Sequence, residues 1–164
     1  LVAPISRLSI VVGKAVSGTL ISVAQAIIIL VLIPFLGIRI TFLQFAEVVA
    51  VSVLVSFCIT SIGILIAARL TSFDGFNIIM NFLVMPMFFL SGAMYPVSSM
   101  PPALRQLTHA NPLTYGIDTF KHVLLGEATP PLGPEFPLGL DLLVVAAVSV
   151  IMLTLAALSF RRKE

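Results

Sequence analysis

The chain has 164 residues, of which 59% are hydrophobic and 10% are charged, with a formal net charge of +2 at pH 7. Soluble domains carry roughly 25% charged residues, so this composition excludes an ordinary soluble fold. The mean hydropathy of +1.17 and the pI near 9 instead predict a membrane protein with basic flanks and no nucleic-acid partner.

Residues 1–14 begin the chain with a short amphipathic pattern. Pro4 stands at a first helical position, where its missing N–H costs nothing. One face carries the apolar residues Ile5, Leu8 and Val12. Another face carries the basic residues Arg7 and Lys14. This pattern predicts a helix lying on the membrane surface, either as a plain lipid anchor or as a docking element.

Four stretches without charge follow, at residues 15–38, 48–68, 75–104 and 142–160. Each is long enough to cross a hydrocarbon core of about 30 Å as a helix of roughly 20 residues. The apolar runs are continuous where a barrel strand would alternate, and a helix satisfies its own backbone polar groups. The sequence therefore predicts transmembrane helices near 15–33, 48–68, 76–94 and 142–160.

Small and polar residues inside these spans indicate either close helix contacts or a transport path. On the second span they form one stripe, and on the third an amide pair lies one turn apart beside methionines. These candidate path or packing residues are Ser52, Ser56, Thr60, Gly63, Asn77, Asn81, Met80 and Met87. The pattern leaves a path, a packing seam and a dimer seam open.

The basic residues predict the orientation of the chain. Those expected on one side are Arg7, Lys14, Arg69, Arg161, Arg162 and Lys163, and those on the other are Arg39, Arg105 and Lys121. Basic residues accumulate on the cytoplasmic side of a membrane. We therefore predict that both termini are cytoplasmic and that residues 95–141 face outward.

The outward segment is predicted to contain two short helices. The first begins at Pro101 and Pro102, and the second is capped by Asn111, starts at Pro112 and ends near Gly126. The apolar face of the second helix is expected to lie on the outer leaflet, and it consists of Leu113, Ile117, Phe120 and Leu124. Residues 127–137 contain four prolines and are predicted to be a loop.

The sequence offers little catalytic chemistry. Asp118 and His122 lie one helical turn apart with His109 nearby, which permits a metal site or an intramembrane hydrolase. Neither an HExxH nor a GxSxG motif accompanies them, so we interpret them as a solvated helix face. Cys58 is the one cysteine. We predict no catalytic residue, no metal and no cofactor on this chain.

The order of breakers and caps in residues 88–126 resembles the region before the last transmembrane helix of type-2 ABC exporter permeases. It contains FLSG, a Tyr-Pro pair, a short helix and an NPLTY start, and it looks most like the drug-exporter branch similar to daunorubicin permeases. The signature positions are Gly92, Tyr95, Pro96, Asn111, Pro112, Tyr115, Asp118 and Gly126. In that family they belong to re-entrant or gate helices at the outer mouth; a packed cap without a gating role is the alternative.

The start of the chain is similar to the family's coupling helix, which docks on the ATPase subunit. The matching residues are Pro4, Ile5, Ser6, Arg7 and Leu8. This alignment implies that the chain is the C-terminal part of a permease whose first two spans precede Leu1. Gly13-Lys14 does not belong to a P-loop, so ATP and Mg are expected on a separate ATP-binding subunit.

The resemblance implies an all-α, polytopic membrane domain over residues 1–164, with four transmembrane helices, an N-terminal interfacial helix and two short extracytoplasmic helices. It implies a permease of an ATP-driven exporter in the cytoplasmic membrane of a prokaryote, paired with a second permease copy as a homodimer or heterodimer. The expected substrate is hydrophobic or amphipathic, a drug or a lipid-like molecule. Lipo-oligosaccharide or polysaccharide export, a non-transporting anchor or assembly subunit, and an intramembrane enzyme are the alternatives.

Overall fold

The computed structural model describes residues 7–70, 72–126 and 133–161, and all the regular structure in this part of the chain is helical. The helices are α1 (Arg7–Leu32), α2 (Phe42–Arg69), α3 (Phe73–Phe89), α4 (Pro102–Ala110), α5 (Pro112–Leu125) and α6 (Leu138–Arg161). Short 3-10 helices cover Ile33–Leu36 and Val97–Ser99. The predicted all-α fold is confirmed for these residues.

Three of the described segments are long and apolar enough to cross a membrane. They are Ser9–Leu36, Phe42–Arg69 and Leu138–Ser159, and they make the chain a polytopic membrane protein. α3 is also apolar but has only 17 residues, about 25 Å at 1.5 Å per residue. α3 corresponds to the third of the four predicted crossings, and that crossing stays a prediction.

α1 differs from the predicted division into a surface helix and a separate span. It is continuous from Arg7 through Lys14 to Leu32. Val11 and Ala15, on either side of Lys14, are both buried against α2 and α6, and this shared packing keeps one helix axis across the expected boundary. Residues 1–6, with Pro4, Ile5 and Ser6, lie outside the described residues, so the coupling helix stays a prediction.

The other spans shift at their ends because of local caps. α2 begins earlier than predicted, since Thr41 and Gln44 form a capping box in which each side chain accepts the other's backbone N–H, at 3.2 and 3.0 Å. α3 ends at Phe89 instead of Met94, because Gly92 adopts a left-handed φ of +80°. α6 begins before Asp141, which therefore lies in its first turn and not in a loop.

α2 and α6 make the most extensive helix contact, and α1 and α5 pack on them. One core cluster joins α1, α2 and α6 through Val11, Ala15, Ile64 and Ala156. A second cluster joins α2, α5 and α6 through Cys58, Tyr115 and Val145. The second cluster fixes α5, and thus the family-like motif, at the end of the bundle where α6 begins.

Candidate functional site

The Asn111-Pro112 pair joins three helices at one point. Asn111 ends α4 and caps α5, and its Oδ1 accepts the N–H of Leu113 at 3.1 Å. Its Nδ2 donates to the backbone carbonyl of Met87 at 2.7 Å. The predicted cap is confirmed, and the same side chain also satisfies a carbonyl in the last turn of α3, where helices leave carbonyls without an intrahelical partner.

Thr114 makes the second link between α5 and the end of α3. Its hydroxyl donates to the carbonyl of Leu90 at 3.3 Å. We refer to Asn111, Thr114 and the carbonyls of Met87 and Leu90 as the α3–α5 joint. These bonds join sections of chain 24 residues apart, so they attach the start of α5 to the end of α3.

Tyr115 holds α4 against α5. Its hydroxyl donates to the carbonyl of His109 at 2.9 Å, and its ring packs on Phe136 with the centroids 5.2 Å apart. Burial raises the pKa of the Tyr115 phenol above its usual range, and the charge of Asp141 raises it further. The phenol therefore stays protonated and keeps donating to His109.

α5 places its polar side inward. Its buried residues are Thr114, Tyr115, Gly116, Asp118 and Thr119. The apolar side is half-buried or exposed; Leu124, for example, is 45% exposed. The interpretation of Asp118 as part of a solvated face is therefore wrong. The surroundings of a membrane helix are themselves apolar, so polar groups turn towards partners within the protein.

Asp118 binds the chain segment that leads into α6. Its side chain is buried, with 2% of the residue exposed. Its carboxylate accepts the N–H of Glu135 at 2.9 Å and the N–H of Phe136 at 2.8 Å, and the Nζ of Lys121 lies 3.8 Å away. The Glu135 carboxylate in turn accepts the N–H of Val97 at 2.7 Å. This end of the predicted loop is therefore a fixed structural link.

His122 and Asp141 lie beside Asp118. The Nε2 of His122 is 2.8 Å from the carbonyl oxygen of Phe136 and 3.5 Å from the Oδ2 of Asp141. Asp141 is fully buried, and neither of its oxygens accepts a hydrogen bond from a residue that the structure describes. We refer to Asp118, His122 and Asp141 as the carboxylate cluster.

An apolar cavity opens next to the joint. It has a volume of about 480 Å³ and is lined by residues of α2, α3, α4, α5 and α6, among them Ile62, Phe82, Met87, Asn111 and Met152. This volume falls within the range of small-molecule pockets. The joint therefore borders a space that suits an apolar group of a ligand or lipid.

The residues predicted to line a path fall on different sides of the bundle. Thr60 faces α1, where a Cβ placed on Gly18 would lie 2.7 Å from its methyl group, and Gly63 faces the Met80 side chain of α3. Ser52 is buried and donates to the carbonyl of Val48, whereas Ser56 is half-buried. Met80 and Met87 both border a small space between α2 and α3, while Asn77 and Asn81 are exposed.

The remaining signature residues surround the joint without all touching it. Gly92 is buried, and a Cβ there would lie 3.0 Å from a methyl group of Val97. The carbonyl of Pro96 accepts the N–H of Ser99, Tyr95 is 62% exposed, and Gly126 ends α5 with a φ of +59°. Thus Gly92 and Pro96 shape the turn that follows α3, and Gly126 lies at the far end of α5.

Sequence reasoning missed Asp141 and Glu135 as members of this region. Both were expected in an unremarkable outer loop. A usable signal exists for Asp141: it stands four residues after Pro137, a common arrangement at the start of a helix. Glu135 carries no comparable signal, because its contact with the N–H of Val97 joins residues 38 positions apart.

Comparison with known families matches residues 1–125 to the ABC-2 type transporter model. The chain belongs to the ABC-2 type transporter family. The matched residues include the whole α3–α5 joint and the helices α1 to α5. Members of this family are membrane permease subunits of ABC transporters.

Individual relatives agree with the family. The probable multidrug ABC transporter permease YbhR of Escherichia coli is 33% identical over 135 residues, which are 79% of this chain and 35% of the relative. The inner membrane transport permease YadH of the same species is 28% identical over 141 residues, or 83% and 53% of the two chains. Nodulation protein J of Rhizobium meliloti is 28% identical over 103 residues, or 63% and 37%. This ABC-2 chain thus spans roughly a third to a half of the length of these relatives.

Proposed function

We propose that this chain forms part of the membrane permease of an ATP-driven exporter and that the α3–α5 joint transmits movement between the membrane helices and the short helices α4 and α5. The observation that carries the proposal is the double role of Asn111, whose side chain caps α5 and holds the last turn of α3. The second bond ties the start of α5 to the end of α3, so a displacement of either helix would act on the other.

The proposed substrate is a hydrophobic or amphipathic molecule moved out of the cytoplasm. The apolar cavity beside the joint supports this choice, since methionine and phenylalanine side chains from α3 and α6 line it. Flexible thioethers adapt to apolar groups of varied shape. The relative named as a probable multidrug permease is consistent with such a substrate.

The proposed path lies between this chain and a second permease copy that contacts α3. None of the residues 73–89 of α3, all of which the structure describes, is buried. Asn77 and Asn81 are exposed one turn apart on this helix, and amides in hydrocarbon gain from partners on another helix. A homodimer or a heterodimer would give them such partners.

Hydrolysis of ATP is assigned to a separate subunit with its own ATP and Mg. The proposed contact with that subunit is made by residues 4–8, which resemble the family's coupling helix. Family membership supports an ATP-binding partner in general. In this scheme closure of the ATPase moves α1, and the core shared by α1, α2 and α6 passes the movement on.

The proposed orientation places both termini in the cytoplasm and α4 and α5 outside. We expect a cysteine at Ser99, introduced into a Cys58→Ser background, to react with an impermeant thiol reagent added to intact cells. A cysteine at Ser72 should react only after the membrane is opened, because it lies at the other end of α3. Reaction of Ser72→Cys but not of Ser99→Cys in intact cells would reverse the orientation, and reaction of both would show that α3 does not cross the membrane.

Three substitutions at two helix caps test the joint. Asn111→Ala removes both bonds, whereas Asn111→Ser keeps a residue that caps helices well but is too short to reach Met87. Ser72→Ala is the matched control, since Ser72 caps α3 at its other end by accepting the N–H of Gly75 at 3.1 Å. Each cap is worth about 1 kcal/mol.

We expect Asn111→Ala and Asn111→Ser to lower export per membrane-inserted molecule alike, while Ser72→Ala leaves it unchanged. The measurement is efflux of a fluorescent apolar substrate, normalised to the inserted protein. If Asn111→Ser exports normally, the bond to Met87 has no role and only the cap matters. Normal export by both Asn111 variants would instead support a packed cap or a non-transporting anchor.

A further inference from the structure

The carboxylate cluster has the geometry of a metal site. Asp118 and His122 come from adjacent turns of α5, and Asp141 comes from the first turn of α6. One ligand atom of each residue lies within 4.8 Å of those of the other two. Metal–ligand bonds of about 2.0 to 2.2 Å hold ligand atoms roughly 3 to 4 Å apart, so small side-chain rotations are sufficient for coordination.

The state of Asp141 points independently to a ligand. Its side chain is fully buried, and both of its oxygens lack a hydrogen-bond donor among the residues that the structure describes. Buried carboxylates are normally hydrogen-bonded, paired with a cation or bound to a metal. Asp118 shows the ordinary alternative, because two backbone N–H groups donate to it. Among the residues that the structure describes, the polar group near Asp141 is the imidazole of His122, 3.5 Å away.

We propose that Asp118, His122 and Asp141 bind a divalent transition-metal cation, for which Zn²⁺ is the best-fitting ion. One imidazole and two carboxylates match the mixed nitrogen and oxygen ligands of zinc. Calcium and magnesium sites use oxygen ligands almost throughout. Two carboxylates also neutralise the charge of the ion, so that the cation compensates the negative charge that the fold buries.

The contact of His122 with Phe136 is compatible with binding of a metal at this site. Without a metal, the Nε2–H of His122 donates to the carbonyl of Phe136 over 2.8 Å. Coordination through Nε2 would require the neutral imidazole to carry its proton on Nδ1 instead, and the bond to the cation would replace the hydrogen bond to the Phe136 carbonyl. Such a site would clamp α5 to the start of α6 and fix residues 135–137 between them.

Zinc titration of the full protein in lipid nanodiscs, prepared without a histidine tag and stripped with a chelator, tests the proposal. We expect one saturable Zn²⁺ per chain by calorimetry. Asp141→Asn and His122→Gln should weaken binding more than about 100-fold, beyond the 10 to 100-fold cost typical of residues outside the ligand set. Binding that does not saturate would overturn the proposal.

Two exposed residues provide matched controls. Glu47→Gln removes a carboxylate from the exposed start of α2, and His109→Gln removes the other imidazole, which is exposed on α4. Neither should change the affinity for Zn²⁺. Equal losses in His109→Gln and His122→Gln, or an unchanged affinity in Asp141→Asn, would contradict the assignment of ligands.

A measurement on the wild-type protein guards against misfolded variants. X-ray absorption of the zinc-loaded protein should show one imidazole and otherwise oxygen ligands, at distances of about 2.0 to 2.2 Å. Sulfur in the coordination shell, or two imidazoles, would place the ion elsewhere and overturn the proposal. The melting temperature of metal-free Asp141→Asn should equal or exceed that of the wild type, since the substitution removes a buried carboxylate to which no described residue donates a hydrogen bond.

Discussion

α3 and α5 are both short helices with a side-chain cap, yet they use their surfaces in opposite ways. No residue of α3 is buried, and its exposed residues include the amides Asn77 and Asn81. α5 buries five residues, and its apolar side chains are half-buried or exposed. One helix thus keeps its polar groups on the surface of this chain, and the other keeps them inside.

The contrast shows which contacts fix a helix when the solvent is lipid. Apolar side chains gain little by leaving lipid for protein, so hydrogen bonds and close packing determine helix positions. α5 has hydrogen bonds through Asp118 and Asn111, and it packs closely where Gly116 faces Val55 of α2. α3 has few hydrogen bonds or close packing contacts with the other helices along its length. It is therefore the helix best suited to contacts outside this chain.

Loss of the Asp118 carboxylate should have the largest effect on the stability of the α5 side. Asp118→Ala leaves the half-buried N–H groups of Glu135 and Phe136 without their acceptor, and an unsatisfied polar group that is shielded from water costs about 1 to 3 kcal/mol. We expect a loss of about 3 kcal/mol or more in denaturant unfolding in detergent micelles. Glu47→Ala, at an exposed acid, is the control, and an equal effect of the two would show that the Asp118 contacts do not hold α5.

Gly116→Ala should have the next largest effect. A Cβ at this position would lie 2.9 and 3.0 Å from the two methyl groups of Val55 on α2, and valine has little freedom to rotate within a helix. Overpacking of this kind costs about 1 to 3 kcal/mol. Gly139→Ala on α6 meets no atom within 4 Å and should be neutral or slightly stabilising, so similar melting curves for both variants would refute the close approach of α5 to α2.

The smallest effect on stability is expected on α3. Asn77→Leu and Asn81→Leu together should change the free energy of unfolding by less than about 0.5 kcal/mol, as is usual for exposed positions. Self-association and export should nevertheless fall, because the amides lose partners on a second copy. Crosslinking of membrane vesicles measures the association. If crosslinking is unchanged and the free energy of unfolding falls, the amides instead pack within this chain. In that case α3 does not differ from α5 in the way described above.

Much of the helical order could be predicted because its signals are local. Continuous apolar runs indicated helices in the places of α1, α2, α3 and α6, and the Asn111-Pro112 pair marked the start of α5 within one residue. Positions that depend on local caps were predicted less well. The Thr41 and Gln44 capping box lengthened α2 and the left-handed Gly92 shortened α3, since each cap needs a specific backbone geometry as well as a suitable residue.

The sequence by itself determined that this chain is a helical membrane protein with the breaker and cap order of an ABC-2 permease. Only the tertiary structure decided that the polar side of α5 is buried in the protein, because the apolar periodicity placed the other side on lipid without showing whether the polar side meets water or neighbouring helices. It also brought Asp141 to within 3.5 Å of His122. These residues are separated by a proline-rich segment, and their meeting depends on the packing of α5 against α6, which no local pattern encodes.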